Sequence, residues 1–285
     1  MATVLAYAAI YLIWGSTYLA IRVAVGAIPP LLLMGVRCLI AGVLLLAWAA
    51  IRGERTTASQ WRHALVAGLV MIACTYGALA WAEQRLSSGV AALLSATPPL
   101  WLTTLEWRRT GRPTLATLAG LLLGGVGVAT LVGSPLAAHV DATAALVLLG
   151  GTITWAAGSL YARPPRLPQS VPLGAGMPLA AGGAALLAAS IATGEERPFD
   201  LHAVGGGALW ALAYLIVFGS LVAFSAYAWL LRVAPASRVA THAYVNPLVA
   251  VALGWSVAGE PVTAATGLAA GAIAASVALV VKGGH

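Results

Sequence analysis

Ser88-Gly-Val-Ala-Ala-Leu-Leu-Ser-Ala-Thr-Pro98 returns in the second half of the chain as Ser237-Arg-Val-Ala-Thr-His-Ala-Tyr-Val-Asn-Pro247, with Ser, Val, Ala and the closing Pro in register. Proline has no backbone N–H and interrupts a helix, so each copy predicts a broken helix, at Pro98 and at Pro247. A segment of this kind written twice in a long apolar chain points to a duplicated membrane domain. Broken helices at matching places in two halves are also a pointer to a binding site between them.

The composition agrees with a membrane chain. Of 285 residues, 61% are hydrophobic and 8% charged, and the mean hydropathy is +0.93. A soluble domain carries roughly 25% charged residues, so this chain has too little polar surface for water. The net charge of +7 is scattered between apolar runs rather than gathered on one face, which argues against a nucleic-acid partner. Cys38 and Cys74 both fall inside apolar runs and are expected to be buried thiols, with neither a disulfide nor a metal framework. The first apolar run, Thr3 to Ala24, is too long for a signal-peptide core and reads as a retained helix.

A membrane-spanning helix needs about 20 mostly apolar residues. Ten such runs are predicted, near 3–25, 31–51, 62–83, 88–107, 115–133, 142–162, 172–192, 207–231, 236–257 and 262–282. Between them stand helix-stopping or hydrated segments such as Pro29-Pro30, Arg52 to Gln60, Gly111-Arg-Pro113, Pro164-Pro165 and Gly194 to Pro198. Basic residues resist translocation, so their distribution sets the orientation. With the N-terminus inside, Arg52, Arg55, Arg62, Arg108, Arg109, Arg112, Arg163, Arg166, Arg232, Arg238 and Lys282 all lie on the cytoplasmic side. Outer loops keep only Arg85 and Arg197. Both termini are therefore expected in the cytoplasm.

Five runs per repeat is an odd number, so the second copy must enter the membrane inverted. The expected fold is all-α and polytopic: two five-helix repeats of inverted topology, residues 1–135 and 136–285. Two weaker matches follow the same order. Trp14-Gly-Ser corresponds to Trp155-Ala-Ala-Gly-Ser, and Gly111-Arg-Pro-Thr corresponds to Gly259-Glu-Pro-Val-Thr.

Depth along the runs, at about 1.5 Å per residue, sorts the aromatic residues. Trp48, Trp61, Trp81, Trp107, Trp210, Trp229 and Trp255 fall near run ends, where indoles anchor at the headgroups. Trp14, Tyr76, Trp101, Trp155, Tyr214 and Tyr244 fall nearer the midplane, where a lipid-facing indole N–H lacks a partner. If these six converge they wall a cavity that stacks a planar side chain and attracts an ammonium over its rings. Helix-packing aromatics are the alternative for each one. Thr97 and Asn246, next to the prolines, are candidate polar contacts for a carboxylate, against a simple capped kink. His242 is a candidate donor or proton relay, against a bond to a neighbouring helix. Arg37 lies two turns into the second run; pairing with an outer acid such as Glu83 is expected over substrate binding.

Trp14-Gly-Ser-Thr-Tyr-Leu-Ala-Ile-Arg, Arg37-Cys-Leu-Ile-Ala-Gly and the segment closing on Pro98, together with the doubled architecture, resemble the EamA-type branch of the drug/metabolite transporter superfamily. Within it the chain looks most like the YddG-type exporters of aromatic amino acids. The resemblance covers nearly the whole chain and implies an inner-membrane carrier of small metabolites with ten helices and a central cavity. The chain departs from many relatives at Gly111-Arg-Pro, where they carry an acid after the glycine as Glu260 does here.

No acid is expected near the midplane, since Glu83, Glu106 and Glu260 sit at run ends. Facilitated diffusion or exchange of aromatic or large apolar amino acids, moved outward by alternating access, is therefore expected over proton-coupled drug export. Gly15 and Gly158 are candidate hinges. A polytopic membrane enzyme is the reading from another class; His63, His139 and His202 lie on separate loops without metal-ligand spacing. Gly120 to Gly124 and Gly267 to Gly271 form small-residue faces for close helix packing or a dimer contact. The expected partners are a small-molecule substrate and the bilayer, without cofactor or metal, in a monomer or homodimer.

Overall fold

The computed structural model describes residues 2–110, 114–133, 140–162, 166–197, 199–234, 239 and 242–283, with the side chains of 103, 106–110, 131–133, 228, 231, 232, 244 and 280–283 left out. Gly111–Pro113, Ser237, Arg163, Arg238 and His139 fall outside these residues, as do the side chains of Glu106, Trp107, Arg108, Arg109, Arg232, Tyr244 and Lys282. The described residues are helices joined by short turns and contain no strand.

In chain order the helices are α1 (Ala2–Val25), α2 (Pro30–Ile51), α3 (Ala58–Glu83), α4 (Ser88–Leu94), α5 (Pro98–Thr110), α6 (Leu115–Gly133), α7 (Ala142–Tyr161), α8 (Val171–Thr193), α9 (206–233), α10 (His242–Ala258) and α11 (Ala264–Gly283). Six of them, α1, α2, α3, α7, α8 and the Gly206–Tyr227 stretch of α9, are long and apolar enough to cross a membrane. Their exteriors are apolar: Ile51 is 85% exposed, Trp210 79% and Leu122 74%. Such a surface suits hydrocarbon rather than water.

Local sequence accounts for the helix ends. Thr57 accepts from the Gln60 backbone N–H while the Gln60 side chain accepts from Thr57 N, a capping box that starts α3. Asp141 caps α7 through the Ala144 N–H at 3.0 Å. Gly194, at φ +70°, closes α8 in a left-handed turn that a side chain would strain.

The two expected helix breaks behave differently. Ser95-Ala96-Thr97 form a turn, and α5 begins at Pro98, where the missing N–H costs nothing. At the second site α10 runs straight through Pro247. There the Asn246 amide nitrogen lies 3.1 Å from the His242 carbonyl and 3.2 Å from those of Ile10 and Tyr11, which share its two N–H donors. A polar side chain thus ties the turn before the proline to α1.

Small residues set the closest helix contacts. α2 lies along α8, and a Cβ at Gly35 would sit 2.7 Å from Leu187 Cγ. α6 lies along α11, where Ser276 Oγ donates to the Gly120 carbonyl at 2.6 Å. Gly124 packs into that contact, whereas Gly267 and Gly271 face open space. Gly15 abuts Val249 and Gly158 abuts Met71, each with 2.6 Å available to a Cβ. Instead of free hinges, both are points of close helix approach. Cys38 is buried, but Cys74 is exposed on the outer face of α3, correcting the expectation for that thiol.

Candidate functional site

Three stretches of wide π-helical turn lie on the helices that carry the central residues: Ala9–Ile13 in α1, just before Trp14, Gly68–Ala73 in α3 and Leu215–Val222 in α9. Such turns break the regular ladder and are frequent at functional sites. In α9 the Gly219 carbonyl accepts from Trp14 Nε1 at 3.1 Å, and the next residue, Ser220, accepts from Arg37 Nε at 3.0 Å. Gly219 leaves no room for a side chain: its Cβ would lie 3.0 Å from Thr17 and 3.1 Å from the Arg37 guanidinium. One π-turn therefore docks both an indole from α1 and a cation from α2.

Around these residues lies a cavity of about 440 Å³, within the roughly 300–1,000 Å³ usual for small-molecule sites. Trp14, Tyr18, Tyr76, Trp155 and Tyr227 contribute its rings, and among the described residues no acid lines it. On one side Trp14 packs against Tyr227 at 5.1 Å and His242 at 5.2 Å between ring centroids. On the other, Tyr76 and Trp155 stack at 6.1 Å with 10° between planes. The Arg37 guanidinium stands 5.1 Å from the Tyr76 ring centroid. The ends of α4 and α5 close the wall with Ser95, Pro98 and Pro99, and α10 adds Asn246 and Pro247.

Of the expected residues, Trp14, Tyr76, Trp155, His242, Asn246, Pro98 and Pro247 meet at this wall. Three others do not, and each has a packing partner instead. Trp101 Nε1 donates to Thr152 Oγ1 at 2.8 Å and to Thr97 Oγ1 at 3.2 Å, joining α5 to α7. Thr97 itself donates to the Leu94 carbonyl at 2.9 Å, closing the turn. Ser16 Oγ donates to the Ile13 carbonyl, so the Tyr214 hydroxyl 2.6 Å away donates to Ser16. The His242 Nδ1 lies 2.9 Å from the Val239 carbonyl; a carbonyl only accepts, so Nδ1 carries a proton and Nε2 is the free nitrogen of the neutral ring.

Arg37, Tyr18 and Tyr227 join the wall without having been singled out for it. Tyr18 was legible as the residue four after Trp14, on the same helix face. For Arg37, pairing with an outer acid such as Glu83 was expected over substrate binding, and no ion pair with Glu83 is made. Glu83 is completely buried with neither carboxylate oxygen hydrogen-bonded, while Arg22 Nη1 donates to its backbone carbonyl.

The acid of Gly259-Glu-Pro has a clear position. Glu260 accepts from Ser88 N and Ser88 Oγ, each at 2.9 Å, and from Gly89 N at 3.3 Å. It thereby lies at the N-terminus of α4, where a negative charge is favourable. Gly259, at φ +65°, turns the chain so that Glu260 reaches there.

A profile of the EamA-like transporter family matches residues 1–133 and again 142–282. The inner membrane transporter YedA of Escherichia coli (strain K12) is 37% identical over 96% of this chain and 89% of its own length. The transporter YvbV of Bacillus subtilis (strain 168) is 26% identical over 92% of this chain and 85% of its own. Protein PecM of Dickeya dadantii (strain 3937) is 28% identical over 85% and 80%. One crystal structure shares the fold with a TM-score of 0.67, covering 98% of this chain and 96% of its own at 22% identity.

Proposed function

The chain belongs to the EamA-like transporter family, and from that premise we propose that it carries amino acids with aromatic or large apolar side chains outward through the 440 Å³ cavity. It is a multi-pass inner-membrane transporter. The observation that carries the substrate assignment is the ring-lined wall of Trp14, Tyr18, Tyr76, Trp155 and Tyr227. Stacked or edge-on rings hold a planar side chain, and ring faces attract an ammonium. Kinship does not carry it, since the relatives' names specify no substrate.

Transport proceeds by alternating access between two inverted repeats, residues 1–135 and 136–285, each of five spans with both termini cytoplasmic. The paired helices support this reading. α2 lies along α8, α4 along α10 and α6 along α11, each joining elements at the same position in the two halves. The π-turns of α3 and α9 also occupy matching positions. Rocking of one half against the other exposes the cavity to each side in turn.

The acid-free wall supports facilitated diffusion or exchange. Proton-coupled export is the second reading, favoured by Glu83, buried without a hydrogen-bond partner. Proteoliposomes separate the two. Labelled phenylalanine equilibrating without accumulation under an imposed pH step supports facilitation; accumulation under that step alone selects coupling. Flux no faster than in protein-free liposomes rejects the substrate assignment.

A further inference from the structure

We propose that Arg37 is the carboxylate-binding residue of the cavity, so that the transported molecule must carry a carboxylate while its ammonium is dispensable. The proposal rests on the transport reading and names the charge that reading leaves open. Arg37 is 3% exposed and lines the cavity. The groups against it are neutral: Ser220 Oγ at 3.0 Å, Met34 Sδ at 3.7 Å and the face of Tyr76 at 5.1 Å. The ion pairs among the described residues are Arg52 with Glu54 and Arg85 with Asp141, so no described carboxylate is in contact with Arg37, and Glu83 acts on it only from beyond ion-pair distance. Two of the five N–H donors of a guanidinium are thus engaged, leaving a fork suited to bidentate contact with a carboxylate.

Thr97 and Asn246, the donors expected beside the prolines for that task, are committed elsewhere. Thr97 donates to Leu94, and the two N–H groups of the Asn246 amide are taken up by the backbone carbonyls of Ile10, Tyr11 and His242. Thr17, Thr75 and Thr152 each donate to a main-chain carbonyl, of Trp14, Gly151 and Leu149. A buried cation without a counter-charge is costly, and an incoming carboxylate supplies that charge. With no acid among the described wall residues, an ammonium meets neutral partners only, ring faces and acceptors such as His242 Nε2, a weaker attraction than a counter-charge. The ligand class is a carboxylate with an aromatic or large apolar body.

Binding is read apart from flux. The thermal stability of the full-length protein in detergent is measured with 3-phenylpropionate and with 3-phenylpropanol, its neutral analogue. The carboxylate is expected to raise the melting temperature at concentrations at least about tenfold lower than the alcohol, the factor expected for hydrogen bonds to a charged group. Arg37→Gln removes the difference. Should that variant fail to fold, Arg37→Lys decides: it keeps the charge, loses the fork and weakens the carboxylate several-fold with the alcohol unchanged. Equal potency of the two compounds on the parent protein, or a preference that survives Arg37→Gln, overturns the proposal. In proteoliposomes, phenylalaninamide is expected to compete with labelled phenylalanine at least about tenfold more weakly than phenylalanine itself. Carboxylate-selective binding without phenylalanine flux leaves Arg37 assigned and rejects the amino-acid substrate. Phenylalanine flux without carboxylate selectivity does the reverse.

Discussion

Trp155 and Trp101 illustrate what residue type and depth reveal and what they conceal. Both are deep indoles, yet Trp155 stacks on Tyr76 at the cavity while Trp101 turns its N–H to Thr97 and Thr152. Depth is readable from position in an apolar run; direction around the helix changes by 100° per residue and depends on neighbours that only folding supplies. Trp14, Tyr76, Trp155 and His242 therefore line the cavity, while Thr97, Trp101 and Tyr214, expected beside them, bond within the helix packing. Trp155→Ala is expected to raise the half-saturation concentration for phenylalanine about two- to tenfold, the equivalent of one lost ring contact. Trp101→Phe is expected to leave that constant unchanged and lower the melting temperature, through loss of one hydrogen-bonded N–H. Kinetics and thermal melts on the same preparations check both. Glu83 was read as a peripheral acid because it ends a run; burial is set by α1 and the α4 start folding over it. Its carboxylate lies within electrostatic reach of Arg22, Glu260 and Arg37 but has no hydrogen-bond donor. Glu83→Gln keeps the shape without the charge and is expected to melt no lower than the parent, whereas Glu83→Lys adds a cation beside two arginines and is expected to melt lower.

At the scale of elements, proline told where a ladder is weakened but not how it is repaired. The same Ser-x-Val-Ala…Pro segment yields a true break at Pro98 and an unbroken α10 at Pro247. The side chain before each proline also differs: Thr97 bonds its own turn, and the longer Asn246 reaches across to α1. The Gly259-Glu-Pro match was visible as a repeat signal, but its partner was not, because Ser88 lies in the other half of the sequence. Ser87 is the N-cap of α4, and Glu260 adds acceptors for the Ser88 and Gly89 N–H groups; Glu260→Ala leaves these unpaired and is expected to destabilise the protein by about 1–3 kcal/mol, the usual cost of buried donors left unsatisfied. A lowered melting temperature with unchanged helical content by circular dichroism checks this. Gly254 assists, since a Cβ there would sit 2.8 Å from Ser88 Oγ.

For the whole molecule, composition alone was enough to place the chain in a bilayer, because hydrocarbon leaves no other solvent for a surface as apolar as this one. The basic residues then give a topology that labelling can check. A cysteine introduced at Gly53, in the turn after α2, is expected to be protected from a membrane-impermeant maleimide in intact cells. One at His202, exposed between α8 and α9, is expected to be labelled; both tests use a Cys74→Ala background. Less legible was the cavity's charge. A single arginine among rings reads as structural until its partners are known, and the partners of Arg37 come from α9 and α3. The central claim is that this ring-lined, acid-free cavity is the path of an aromatic amino acid. Counterflow tests it most directly: liposomes loaded with unlabelled phenylalanine and diluted into labelled phenylalanine. The account predicts transient, saturable accumulation of label that Trp155→Ala shifts to higher concentration. Label entry that is linear with concentration, or equal to that of protein-free liposomes, would contradict it.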